Sequence, residues 1–368
     1  MRDIYLVIGG SGFVGRHIVQ QLLARGDTVS ALDIVQRHHD VPFYSADITD
    51  QEQQQAVETG VRKLVFTSSA GVVFNGDDLI DVDERTPFPE KPMDAYTESK
   101  AKAEEAVLAA NGKKWPAGIF GPGDQQAMAG LYQVYERGQT HFQIGDNTNL
   151  FDWTYVGNVA AAHLLAADRL TDPPPAPVLA DLPEMPKSPE EVPPLTQAED
   201  DLVQYALPSI DIDTGAHRPV VRTRFDPLSD VNIARTKLHA PSTSPLQVAG
   251  QAFFITNGEP CYFWDFARLV WHNLDGVFPE KAKTRKTGVW VLPKEVGMLA
   301  AAGAEWWGWL TGKDPTFTRF KVSFSCARRW YNIEKARRVL GYEPTVGIEE
   351  GVRLMVEAWK AQHFAQKR

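Results

Sequence analysis

IYLVIGGSGFVGRHIVQQLLARG, residues 4–26, decides the fold. Its first five residues are apolar and partly β-branched, the pattern of a short buried strand. A glycine-rich turn follows. Then Ile18, Val19, Leu22 and Leu23 recur at helical spacing, and Gly26 supplies a helix stop. Gly10, Gly12 and Gly15 fit G-x-G-x-x-G, and Gly9, Gly12 and Gly15 fit the looser G-x-x-G-x-x-G. Glycine in such a turn permits a tight bend, close approach of the backbone to a pyrophosphate, and close packing of helix on strand. Phe13 and Val14 complete the turn, and the anion lies where the free N–H groups of a helix N-terminus point. A glycine motif alone is weak. Here it has a strand before it, a helix after it and a second strand, TVSALD, beyond.

That second strand ends in Asp33, eighteen residues after Gly15. A carboxylate there accepts hydrogen bonds from a ribose and repels a 2′-phosphate, which favours NAD over NADP. Arg37, close by, pulls the other way. FYSADI is a third strand-like run, and Asp47 and Ile48 at its end are placed to meet the adenine. The fold class is therefore α/β, a Rossmann-type doubly wound parallel sheet.

Composition agrees. The 368 residues are 43% hydrophobic and 23% charged, a globular balance. A formal net charge of −9 argues against nucleic acid, whose binding rests on phosphate neutralisation. Cys261 and Cys326 are the two cysteines, too few for a disulfide framework or a CxxC site, so a reducing compartment is expected. His38 and His39 read as surface residues, and His141 and His163 are isolated. No metal-ligand spacing is present. The acidic run FNGDDLIDVDER, residues 74–85, reads as a solvated loop. Residues 171–246 open with a stretch dense in proline and acid, a loop insertion rather than core.

Y-x-x-x-K occurs twice, at Tyr96/Lys100 and Tyr331/Lys335, so the spacing alone is cheap. Context separates the two. Before Tyr96 lies KLVFTSSAGVVF, residues 63–74, an expected strand that empties into Thr67, Ser68 and Ser69. Residues at the carboxyl ends of strands face the cofactor crevice of such a sheet. Positions i and i+4 share a helix face, so Lys100 can lower the pKa of Tyr96. A phenolate then takes an alcohol's proton, and a serine orients its oxygen. YNIEKARRVLGY, by contrast, reads as a plain helix ending at Gly341.

Together GGSGFVG, TSSAGVVF, DAYTESKAKAEEA, PAGIFGPGD, FDWTYVGNVAAAHLLAADRL, FFITNGEPCYFWDFARLVW and the tail YNIEKARRVLGYEPTVGIEEGVRLMVEAW resemble the extended short-chain dehydrogenase/reductases. They resemble most the 3β-hydroxysteroid dehydrogenase type and its fungal sterol-4α-carboxylate 3-dehydrogenase (decarboxylating) family. The resemblance implies NAD-dependent oxidation of the 3β-hydroxyl of a 4α-carboxysterol with loss of CO2. It implies Tyr96 as base, Lys100 as its partner and ribose anchor, and Ser69, or the adjacent Ser68, as the oxygen-orienting serine. Pro116, Gly118 and Ile119 would line the nicotinamide pocket. It further implies an NAD-binding domain at 1–170 completed by 247–257, a C-terminal substrate and membrane-facing region at 258–368, and residence at the cytosolic face of the endoplasmic reticulum membrane. A homodimer or other sterol C4-demethylation enzymes are the partners it admits. The rivals are a nucleotide-sugar epimerase or dehydratase of the same superfamily, and a catalytically impaired NAD-binding protein.

Two departures from the family favour the second rival. Between Asp50 and Lys63 only the twelve residues QEQQQAVETGVR remain, where the family has a further strand and a long helix. The slot before PAGIF holds NGKKW in place of an apolar strand. Both gaps fall inside core elements, the pattern of a chain that has lost internal segments.

Residues 287–312, TGVWVLPKEVGMLAAAGAEWWGWLTG, are rich in Trp, Ala, Leu and Val. Lys294, Glu295 and Glu305 make a bilayer span too costly. Trp290, Trp306, Trp307 and Trp309 suit the headgroup boundary, and the basic KAKTRK precedes them. Peripheral attachment through this segment is the expectation.

Overall fold

The structure, a computed structural model, describes residues 3–47, 61, 63–84, 86–90, 97–103, 115–116, 119–170, 248, 252–286, 288–312 and 317–365. Strand β1 (Ile4–Ile8), helix α1 (Phe13–Arg25) and strand β2 (Thr28–Asp33) form the expected unit, with Ile4 beside Thr28 and Ile8 beside Leu32 in parallel. Strand β3 (Phe43–Ser45) joins β2 on its other side, giving the order β1-β2-β3. Gly26 stops α1 in the left-handed region (φ 90°), and its N–H bonds the Leu22 and Leu23 carbonyls, a glycine C-cap. Val19 and Leu22 of α1 close over Val7, Val29 and Ala31. The helix Val156–Arg169 packs beside α1, tied by Arg25 to Asp168 at 2.7 Å.

The opposite face of β1 is bare. Ile4, Leu6 and Ile8 are 83%, 51% and 52% exposed. Among the described residues no strand pairs with the free edge of β1. The segment 63–69, expected as the strand in that slot, is not a strand; Leu64 is exposed. The physical reason lies in the next slot. A strand there needs β1 on one side and a further strand on the other; among the described residues the candidate for that further strand, Trp115–Pro116, pairs with Phe254–Ile255 and forms no ladder with 63–69.

A second parallel pair, Ile119–Phe120 with Thr154–Tyr155, continues toward a larger core. There Phe120, Phe151, Trp153, Phe266, Trp271 and Val352 pack between the helices Ala127–Glu136, Phe263–Val277 and Ile348–Ala365. Buried Asn158 and Asn257 bind these pieces together. Asn257 Oδ1 accepts from the Tyr155 backbone N–H and from Asn158 Nδ2 at 2.9 Å each, and the side-chain amides of both asparagines donate to the Val346 carbonyl. Satisfied buried amides of this kind fix one arrangement of the strands.

The acidic run is also corrected. Leu79–Val82 is a strand, parallel to Arg329–Tyr331, which in turn pairs with Leu150–Phe151. Leu79 is buried by that pairing, which overrides the charge around it. The YNIEKARRVLGY stretch does end at Gly341 in the left-handed region, but its last turn, Ala336–Leu340, is a π-helix. The insertion at 171–246 lies outside the described residues.

Candidate functional site

One cleft of about 1180 Å³ joins the glycine loop to the serine segment. Gly9, Gly12, Phe13, Val14 and Gly15 line it on one side; Thr67, Ser68, Ser69, Lys100 and Ile119 line it on the other. Sequence positions more than fifty residues apart thus share one wall-to-wall space.

The glycine loop is as tight as its motif requires. Gly9 holds φ +75° and accepts from the Gly12 N–H at 2.9 Å. A Cβ on Gly15 would stand 2.1 Å from the Gly9 carbonyl oxygen. Helix α1 opens with no side-chain cap and no acid in its first turn, so its leading N–H groups and positive dipole end are left for an anion. Asp33 supports the loop: its carboxylate accepts from Ser11 N–H at 3.0 Å and from Ile34 N–H at 2.8 Å. Arg37 and His38 line the same cleft. Asp33 and Asp47 are not among the residues that line it; Asp47 is exposed, two residues beyond the end of β3.

The serine segment is built by local hydrogen bonds rather than by a sheet. Ser69 Oγ accepts from Gly71 N–H at 3.2 Å and caps the short 3-10 turn Ala70–Val73. Ser68 is 3% exposed, and its Oγ has no hydrogen-bond partner among the described residues. Ser69 thus uses one acceptor site on its own backbone and keeps its O–H as a donor, while the hydroxyl of the neighbouring Ser68 has no partner among the described residues. Thr67 Oγ1 lies 2.6 Å from His163 Nε2, and His163 Nδ1 lies 2.7 Å from the Val159 carbonyl. A carbonyl accepts only, so Nδ1 carries the proton and Nε2 accepts from the threonine.

Lys100 stands on the helical segment 97–103 and donates to the Thr67 carbonyl at 3.4 Å. Burial holds its pKa below the ordinary lysine value, because the charged form is disfavoured away from water. Pro116 contributes backbone to the pair with Ile255. Tyr96, Ile48 and Gly118 lie outside the described residues.

Sequence reading missed three contributors. His163 is ninety-six residues from its partner Thr67. Arg329 and Phe324 line the cleft from the C-terminal segment. A lone arginine or phenylalanine carries no spacing signal. The only hint was the run RRWY, which gives charge beside aromatics and nothing about direction.

Residues 49–182 match the 3-beta hydroxysteroid dehydrogenase/isomerase family, and residues 5–59 the NAD dependent epimerase/dehydratase family. The chain is 35% identical to the decarboxylating sterol-4-alpha-carboxylate 3-dehydrogenase of Schizosaccharomyces pombe, over 96% of each chain. It is 34% identical to the same-named protein of Saccharomyces cerevisiae, over 97% of each. The first alignment runs over 408 residues, more than the 368 of this chain, so that relative carries internal segments that are missing here. Among solved structures, UDP-glucuronic acid 4-epimerase from Bacillus cereus in complex with NAD shares the fold, with TM-score 0.55 and 14% identity over 98% of this chain and all of that one.

Proposed function

The chain belongs to the decarboxylating sterol-4-alpha-carboxylate 3-dehydrogenase family, and from that premise we propose that it oxidises the 3β-hydroxyl of a 4α-carboxysterol, with loss of CO2. The observation that carries the reading is the single cleft uniting the glycine loop, the serine segment and Lys100. NAD is the cofactor. The residues fit it: Gly15 lets helix α1 lie directly on the Gly9–Gly10 backbone, where a Cβ would collide, and the N-terminus of α1 is uncapped. Gly9, Gly12, Phe13, Val14 and Gly15 would hold its pyrophosphate, and Asp33 the ribose end. When bound, NAD supplies the hydride acceptor.

The chain's own residues handle the proton. Tyr96, four positions before Lys100 in sequence, takes it from the substrate hydroxyl. A lysine cation favours the phenolate over the phenol. The hydroxyl of Ser69, or of the adjacent Ser68, orients the substrate oxygen; both line the cleft, and Ser69 also caps the turn that presents them. The oxidised product is a β-keto acid. Its new carbonyl accepts the electron pair released as the C–CO2 bond breaks, so decarboxylation needs no further cofactor. Incubation with NAD and a 4α-carboxysterol should yield NADH, CO2 and the 3-ketone; Tyr96→Phe should abolish all three. A fully active Tyr96→Phe, or turnover of a UDP-sugar in preference to the sterol acid, overturns the assignment.

A second reading, NAD binding without turnover, is favoured by the bare edge of β1 and the missing internal segments. Nucleotide binding with no NADH formed from any alcohol would establish it.

We further propose that the protein docks on the cytosolic face of the endoplasmic reticulum membrane through residues 288–312. Among the described residues no helix is long and apolar enough to cross a membrane. The helix Lys294–Thr311 packs its small residues Gly297, Ala301 and Gly308 inward, with Gly297 against Val322 of the neighbouring helix Arg319–Cys326. Its other faces expose Leu299, Trp306, Trp307 and Trp309, at 61–80%. Indoles of this kind favour the headgroup boundary, and Lys281 and Lys286 stand just upstream. The helix Arg319–Cys326 also sends Phe320 and Phe324 to the cleft, so the apolar surface adjoins the route to the site. Flotation with anionic vesicles should carry the protein upward, and changing Trp306, Trp307 and Trp309 to Ser should leave it in the soluble fraction. Wild-type protein that fails to float sinks this proposal.

A further inference from the structure

The sheet β1-β2-β3 has one closed face and one open one. Val7 of β1 and Val29 and Ala31 of β2 point to the side that α1 closes. Side chains alternate between the faces of a strand, and partners in a parallel register share a face. The other side therefore carries Ile4, Leu6 and Ile8 of β1 beside Thr28, Ser30 and Leu32 of β2, and Tyr44 of β3 beside Leu32. None of these side chains is charged. Ile4 is 83% exposed, Tyr44 56%, and Leu6 and Ile8 are also exposed. Together they leave roughly 600 Å² of mostly apolar surface open, the upper end of what a monomer carries. The chain lacks internal segments that its Schizosaccharomyces pombe relative carries, so less of it is left to cover this face from within.

The chemistry of the face names its cover. A lipid surface favours indoles and basic residues, as on the helix Lys294–Thr311 and just before it; this face has neither. A charged protein surface would bury its charges here without a counter-charge. The same face of a second copy meets no such penalty, because it is apolar and uncharged on both sides of the seam. Thr28, Ser30 and Tyr44 bring hydroxyls that both donate and accept, so they can satisfy one another across it. Two sheets stack about 10 Å apart, and a two-fold axis between them presents the same patch from both sides and closes the pair. Such a pair would bury about 1,200 Å² in all, above the ~1,000 Å² that a specific interface should clear. We propose that the chain forms a two-fold dimer by packing this sheet face to face on the same sheet of a second copy. The free edge of β1 takes no part in it. The inference is independent of the catalytic reading, and Leu6 and Tyr44 do not line the cleft.

Sedimentation velocity of the full chain, without lipid or detergent, tests this. Between about 1 and 100 µM the mass should move from monomer to dimer. Leu6→Lys and Tyr44→Lys each set a like charge on both sides of the seam, and each should raise the dissociation constant about 100-fold. Both should keep the wild-type circular dichroism, since the side chains replaced are exposed. Trp307→Ser, on the other exposed apolar surface, should leave the dimer intact. Hydroxyl-radical footprinting of the wild type needs no variant: Leu6 and Tyr44 should be labelled at the low concentration and protected at the high one. A wild type that stays monomeric overturns the inference, as does a dimer in which these two residues stay labelled or which neither lysine weakens. Growth past the dimer also overturns it, because an open series means a head-to-tail contact between two different surfaces.

Discussion

Replacing Gly15 by Ala tests whether the glycine loop is a cofactor cradle or only a turn. The added Cβ would lie 2.1 Å from the Gly9 carbonyl oxygen, 2.7 Å from its carbon and 2.9 Å from the Gly10 Cα. All three are backbone atoms, so no side chain can rotate away. Loop and helix must part by roughly 1 Å, and overpacking of this kind costs about 1–3 kcal/mol. The same displacement pulls the first N–H groups of α1 off the positions an anion needs. A loss of about 2 kcal/mol in binding is roughly a 30-fold rise in Kd. Gly130→Ala is the control. It sits inside the helix Ala127–Glu136 with nothing within 4 Å of its Cβ, and Ala there favours the helix by about 1 kcal/mol. Calorimetric titration with NAD and thermal melting by circular dichroism read both effects. Gly15→Ala should lose NAD affinity and melt several degrees lower, and Gly130→Ala should do neither. A Gly15→Ala protein that binds NAD as tightly as the wild type and melts with it would refute the steric reasoning.

Three further outcomes follow from particular residues. Asp33→Ser should weaken NAD about tenfold and narrow its advantage over NADP, because Arg37 lines the cleft and the carboxylate that repels a 2′-phosphate is gone; titration with both nucleotides reads this. Glu84, whose carboxylate accepts from Phe254 N–H, is pushed up to about 7 by burial, against the pull of Lys335. Its folded pKa lies above the unfolded one, so it holds an extra proton in the folded state. Its stabilising contribution is complete below about pH 4.5 and falls as pH rises toward 7, by at most about 3 kcal/mol. Denaturant titrations from pH 4.5 to 8 should show that decline, and Glu84→Gln should flatten it. Hydrogen exchange should find one alternate set of β1 amides unprotected, those facing its unpaired edge; uniform protection along Ile4–Ile8 would mean that the edge is covered.

What could be read in the sequence was whatever rests on local pattern. The βαβ unit at 4–33 is specified by residues within one or two turns of each other: apolar runs, helical spacing, Gly26 at the stop. The segment 63–66 was not legible. Its composition suits a strand, but a strand exists only by pairing, and among the described residues it pairs with neither β1 nor Trp115–Pro116. Leu79–Val82 shows the converse, an acidic stretch made into a strand by Arg329–Tyr331 some 250 residues away. Of the site residues, Lys100, Ser69 and the glycines were marked by motif. Arg329, His163 and Phe324 act only through where the fold delivers them.

The same contrast explains how the serine segment keeps its place without a sheet. In a complete doubly wound fold, the strand leading into it would be fixed by ladders on both edges. Here side chains hold it. His163 receives the Thr67 hydroxyl at its start, and Lys100 reaches the Thr67 carbonyl. Ser69 closes the turn on Gly71. At the far end Tyr331 meets the Ala70 carbonyl and Arg329 stacks on Phe74. These attachments come from the helix Val156–Arg169, the segment 97–103 and the strand Arg329–Tyr331, which pack mainly in other cores; of the three, the helix Val156–Arg169 also touches the β1 core, through Leu164. Loss of sheet around β1 therefore exposes apolar surface there, at Ile4, Leu6 and Ile8, without by itself releasing the serine turn. Damage to stability and damage to the site are separable in this chain, because different contacts carry them.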